Sequence, residues 1–240
     1  MVLNIAAILK ILLYTGIFSH LLPLVFFLLF KLDNKEKLLR VILFYILYCV
    51  ANEGINFYLQ LTENPDFHIL FSFFTIVEYS FFCYFFYLVL PKNSIKKIVP
   101  VIWLAFVLFA VIDFFFFNEM NAFDSFTSGI ESLIIILFCI YYLFIQIKGS
   151  NSLLIYSTFN FWIIIAFLIY SSGTFLLYLI ANSLKEDEHF LKLYFVINIS
   201  FNILKNILLS VAMTMKTTNS KQLAPSFPDL DDDVFFRHKN

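Results

Sequence analysis

The sequence predicts an all-α, polytopic membrane protein with seven transmembrane helices, its N-terminus outside and its C-terminus in the cytoplasm. Three observations carry this prediction. Of 240 residues, 61% are hydrophobic and only 14% are charged, and the mean hydropathy is +0.87. That is too apolar for a domain dissolved in water. The apolar residues also fall in unalternating blocks of about 20, long enough at 1.5 Å per residue to cross a ~30 Å hydrocarbon core as helices and unsuited to the alternating strands of a barrel. Finally, the short connections between blocks alternate between basic and acidic, as they do when basic loops stay on the cytoplasmic side.

The expected spans are 8–30, 40–61, 67–90, 98–117, 127–147, 153–181 and 190–213. The first begins in an apolar stretch from Val2 to Phe30 that lacks a charged leader, so it reads as a retained span and not a cleaved signal. Lys10 lies near its outer end. His20 lies near its middle beside Pro23, a residue expected to kink the helix, and reads as a hydrogen-bonded packing residue. Turn-forming residues separate the later blocks: Asp33-Asn34, Asn64-Pro65, Pro91-Lys92-Asn93, Asn118 to Asn121, Gly149-Ser150-Asn151 and Asn182-Ser183. Short connections make consecutive helices antiparallel neighbours. Residues 1–215 form the membrane domain, and 216–240, with Pro225, Pro228 and the acidic run Asp229 to Asp233, read as a short disordered cytoplasmic tail.

Orientation follows from the basic residues. Lys31, Lys35, Lys37 and Arg40 flank the first connection, Lys92, Lys96 and Lys97 the third, Lys148 the fifth, and Lys216 and Lys221 open the tail. The second and fourth connections carry Glu63, Asp66, Glu119 and Asp124 instead, and the sixth mixes both signs. The expected location is therefore the inner, cytoplasmic membrane.

Composition narrows the partners and cofactors. A net charge of −1 supplies no basic surface for nucleic acid. Cys49, Cys83 and Cys139 lie inside apolar blocks without CxxC spacing and read as packing residues. His68 and His189 fall near the outer surface among acids, yet no metal-ligand spacing accompanies them. No catalytic residue, metal or cofactor is indicated, which argues against an enzyme. The lipid bilayer is the one partner composition demands. A cytoplasmic protein partner is expected through the inner loops or the tail, where Val234-Phe235-Phe236-Arg237 offers an aromatic pair beside charge. Nothing in the sequence selects an oligomeric state.

Polar residues inside the spans carry the functional reading, because ionisable groups at membrane depth are costly. Asp113 and Glu131 lie close to outer ends and are expected to snorkel. Glu53, Asn56 and Gln60 recur at i, i+3, i+7, which confines them to one helical face. Asn198, Asn202 and Lys205 recur at i, i+4, i+7, with Asn206 beside them. Glu78 falls near the middle of the third span. These eight residues are expected to converge as a buried polar cluster or ligand site in which Lys205 pairs with Glu53 or Glu78. In the sixth span, Ser171-Ser172-Gly173-Thr174 predicts close approach of another helix.

A lysine in the seventh span invites comparison with microbial rhodopsins, but those carry an acid four residues earlier, where this chain has Phe201. The stretches from Phe161-Trp162 through Tyr170-Ser171-Ser172-Gly173, and Asn202-Ile203-Leu204-Lys205-Asn206, give the first ~215 residues a loose resemblance to the seven-helix bacterial sensor modules found ahead of histidine kinases or cyclase domains. The resemblance implies a sensor or signalling module. Since no such output domain follows in this sequence, the signal is expected to pass to a separate partner. The alternative is a small ion- or proton-coupled transporter that uses the Glu, Lys and Asn cluster as a relay.

Overall fold

The computed structural model describes residues 5–31, 36–62, 67–91, 94–116, 125–148, 152–181, 183–184 and 187–215. It is all-α among these residues: α1 (Ile5–Ser19), α2 (Leu21–Phe30), α3 (Lys37–Leu61), α4 (Phe67–Val89), α5 (Ser94–Phe116), α6 (Ser125–Lys148), a 3-10 turn (Ser152–Ser157), α7 (Phe159–Ala181) and α8 (Glu188–Thr214). Among the described residues, seven helical segments are long and apolar enough to cross a membrane, α1 and α2 together forming the first. The chain is an integral, multi-pass membrane protein by this measure. Large apolar side chains such as Leu29, Val101 and Phe115 stand exposed on the outside of the bundle, as surface facing lipid and not water does. The tail and most of the expected turn residues lie outside the described residues.

Two expected spans differ in detail. The first is broken at His20 because Pro23 has no N–H to offer the Ser19 carbonyl one turn earlier. The local geometry tightens, and the His20 N–H donates to the Ile17 carbonyl at 3.4 Å. His20 itself is buried and its Nδ1 lies 3.1 Å from the Gly16 carbonyl oxygen. The sixth span, expected as one helix over 153–181, instead starts with the 3-10 turn and becomes α-helical at Phe159. Thr158 makes the junction, its Oγ1 accepting from the Phe161 N–H at 3.4 Å in the manner of a helix cap. The Trp162 indole donates to the Tyr156 carbonyl at 2.7 Å across the same junction.

The core is aromatic. Phe82 of α4 and Phe167 of α7 meet edge to face at 4.4 Å, and Tyr45 of α3 packs edge-on against Phe167 at 5.8 Å, geometries that the ring quadrupoles favour. The closest helix contacts use small residues. A β-carbon on Gly173 of α7 would lie 2.4 Å from the Phe201 ring of α8, and one on Gly16 of α1 would lie 2.9 Å from Ile199 of α8. α8 is thus gripped from two sides, by α7 and by the first span. Cys49, Cys83 and Cys139 are free thiols buried in this core.

At the end of the first span, the Lys31 ammonium donates to the Met215 carbonyl just past α8, where the helix presents unpaired carbonyls. It also faces the Phe159 ring at 5.8 Å. Burial holds this ammonium below the ordinary lysine range, and Glu36 works in the opposite direction.

Candidate functional site

Glu78 is the central residue of α4, so its carboxylate sits as far from either membrane face as that helix allows. A carboxylate there needs partners. The Tyr45 hydroxyl of α3 donates to Glu78 Oε1 at 2.8 Å, and Lys205 of α8 donates to the same hydroxyl at 3.2 Å. The Lys205 ammonium and Glu78 Oε1 stand 3.6 Å apart, closing a triangle. All three residues are deeply buried, with relative exposures of 2% for Tyr45, 4% for Glu78 and 2% for Lys205.

The ammonium also lies over the Tyr170 ring of α7 at 4.1 Å from its centroid, within cation–π range. Three helices therefore contribute to the surroundings of one lysine carried by a fourth. Such a pair costs desolvation that its Coulomb attraction must offset, so its geometry and extra hydrogen bonds decide whether it holds. The tyrosine hydroxyl and ring supply those extra contacts.

The remaining expected site residues are placed unevenly. Asn206 is buried but turns to the other side of α8, where its Nδ2 donates to Ser19 Oγ at 2.8 Å and so ties the last helix to the break in the first span. Asn56 is buried, and among the described residues its Oδ1 has no hydrogen-bond partner; the same holds for Oδ1 of the half-buried Asn202. Glu53 is half-buried and feels the charge of Lys205 without reaching it as an ion pair among the described residues. Of the two acids expected to pair with Lys205, the contact is made by Glu78. Asn198 is half-buried near Tyr194. The side chain of Gln60 lies outside the described residues, as does that of His68.

Glu131 requires a correction. Instead of snorkelling to an interface it is buried at 6% exposure, because Thr127, Glu131, Ile135, Phe138 and Tyr142 form the helical face that α6 turns inward. Asp113 is half-buried and accepts from Thr127 Oγ1 of α6 at 2.8 Å.

Several site residues are not singled out by sequence pattern. Tyr45 has the same helical phase as Cys49, Asn52 and Asn56, all four buried, so a search for tyrosines along that polar face would find it. Tyr170, Thr174 and Tyr178 similarly recur every four residues along α7. The Tyr170 and Tyr178 hydroxyls lie 3.3 Å apart, leading away from Lys205 towards the end of the bundle where α8 begins. Among the described residues, no group of three or more His, Cys, Asp or Glu side chains is arranged to hold a metal ion.

Compared with known protein families, curated proteins and solved structures, the chain matches none. The site must be read from its own chemistry.

Proposed function

We propose that this chain is a membrane-embedded sensing or signalling module whose switch is the cluster of Lys205, Tyr45 and Glu78. The observation that carries this reading is the 3.6 Å ion pair buried mid-bundle, shared through one hydroxyl and joining α3, α4 and α8. A pair of this kind is bistable in principle, since protonating the carboxylate or offering either charge a better partner removes the reason for the helices to stay together. α8 runs directly from the cluster to Met215, so rearrangement there moves the end of the bundle. The loose resemblance to seven-helix sensor modules supports the same reading.

In this proposal the N-terminus is outside, the C-terminus is in the cytoplasm, and the membrane is the inner, cytoplasmic one. The alternation of basic and acidic connections supports that orientation, and it leaves the basic connections and the tail available to a separate cytoplasmic partner. Single cysteines at positions 64 and 93, in a chain whose three buried cysteines are replaced by alanine, test it: the first should react with an impermeant maleimide in intact cells and the second only after lysis.

The function is tested by thermal stability in detergent for wild type and Lys205→Met across pH values, ions and small metabolites. A ligand that stabilises the wild type and not the variant supports the switch. If no condition separates them beyond a constant offset, the cluster is a structural clasp and the signalling reading loses its basis.

A second reading, a proton-coupled transporter, is favoured by one observation. Glu131 is buried and Glu53 half-buried in the same bundle, so carboxylates outnumber the one buried lysine of the triangle. Proton-coupled uptake into vesicles that vanishes with Glu78→Gln would select it over sensing.

A further inference from the structure

α1 and α8 run side by side and touch where Gly16 meets Ile199. Towards the start of α8 a cleft of about 480 Å³ lies between them. Its floor is apolar: Leu9 and Leu13 from α1, Leu191 and Phe195 from α8, all half-buried. Its rim is charged: Lys10 from one helix, Lys192 and Glu188 from the other.

We propose that this cleft seats an anionic phospholipid drawn from the membrane leaflet around the N-terminal end of the bundle. Lys10 lies five residues into α1 and Lys192 four residues into α8, placing both roughly 6–8 Å below the helix starts. From there a lysine stem reaches up to headgroup depth while its methylenes cover apolar surface. The two lysines line one opening from different helices, against a single carboxylate.

That carboxylate is weakly engaged. The Glu188–Lys192 contact is 3.4 Å long, with side chains 59% and 87% exposed for Lys192 and Glu188, the kind of surface pair that contributes little and yields to a competing anion. A phosphodiester offers oxygens that both lysines can meet at once, and an acyl chain lies naturally along the leucines and Phe195. Charge on the rim and hydrocarbon on the floor match the two halves of one molecule. The inference is independent of the buried Lys205 cluster.

The test uses the full chain, stripped of lipid in detergent. Phosphatidylglycerol, phosphatidylcholine and inorganic phosphate are titrated separately, with retained lipid counted by native mass spectrometry. Phosphatidylglycerol should bind one molecule tightly, roughly 10-fold better than phosphatidylcholine given the contribution of basic residues near an anionic headgroup. Lys10→Gln/Lys192→Gln should abolish that preference and Lys10→Arg/Lys192→Arg should keep it. Equal binding of phosphatidylcholine, or an undiminished preference in the glutamine variant, overturns the proposal. So does inorganic phosphate that displaces the lipid, since the ligand is then a soluble anion. If the glutamine variant fails to fold, Leu13→Trp fills the floor and leaves the charges in place. It should lose the retained lipid, and keeping it overturns the proposal equally.

Discussion

Lys205 and Asn206 are consecutive residues of α8, yet they bind on different sides of it. Lys205 reaches Tyr45 and Glu78 on α3 and α4, while Asn206 donates to Ser19 at the break in the first span. One turn of one helix therefore ties together the first, second, third and last membrane segments. Displacing α8 breaks both attachments at once.

Breaking the ion pair from one side leaves a charge buried without its partner. Lys205→Met alone, or Glu78→Gln alone, is expected to cost about 3–5 kcal/mol. The double variant should recover most of that loss, because no unpaired charge remains. Unfolding in mixed micelles by denaturing detergent measures all three. Losses that simply add would show that the two residues do not act as a pair.

Tyr45→Phe removes the hydroxyl between Lys205 and Glu78 and keeps the ring that packs on Phe167. The expected loss is about 1–3 kcal/mol, the cost of leaving a buried acceptor short of a donor. Tyr48→Phe, one turn along on a half-buried residue stacked on Phe74 at 5.5 Å, should stay within about 0.5 kcal/mol of wild type. The same unfolding assay should separate them.

Gly173→Ala drives a methyl group into the Phe201 ring and should destabilise by about 1–3 kcal/mol through overpacking. A β-carbon on Gly54, by contrast, would meet nothing within 4 Å. Gly54→Ala should be neutral or gain up to about 1 kcal/mol from helix propensity. Equal effects at the two sites would contradict the close approach of α7 and α8.

The Lys31 ammonium is held below its ordinary value of 10.5 by burial. Its charged form is therefore the one the folded state disfavours. The penalty is fully present below the folded value and is relieved as pH rises from there to 10.5. Wild type should gain stability relative to Lys31→Met over that alkaline window. Parallel pH profiles for the two proteins would mean that the ammonium is not desolvated.

The spans are legible in the sequence because hydrophobic length in a bilayer is set by thickness, and the later apolar blocks each coincide with a single long helix or begin within a few residues of it. Local hydrogen bonding is not legible in the same way. The break at His20 depends on one missing N–H at Pro23, and the late start of α7 depends on Thr158 and Trp162 finding backbone partners; neither alters the apolar count. The same limit applies to the site. Lys205 and Glu78 stand out because charge is rare at membrane depth, whereas Tyr45 and Tyr170 are two of 13 tyrosines and differ from the others only in where packing puts them. Glu131 departs from expectation because helical phase, more than distance from a helix end, decides which face turns inward.

The partner of Tyr45 in the buried triangle lies 160 residues further along the chain, in α8. At common elongation rates of about 5–20 residues per second, Tyr45 precedes Lys205 out of the ribosome by roughly 10–30 seconds. For that interval the nascent bundle holds the Glu78 carboxylate without its lysine, and α8 is the span that brings the opposite charge to it. Docking of α8 is thereby coupled to electrostatic closure of the interior, and an intermediate without it carries a carboxylate that lacks its partner.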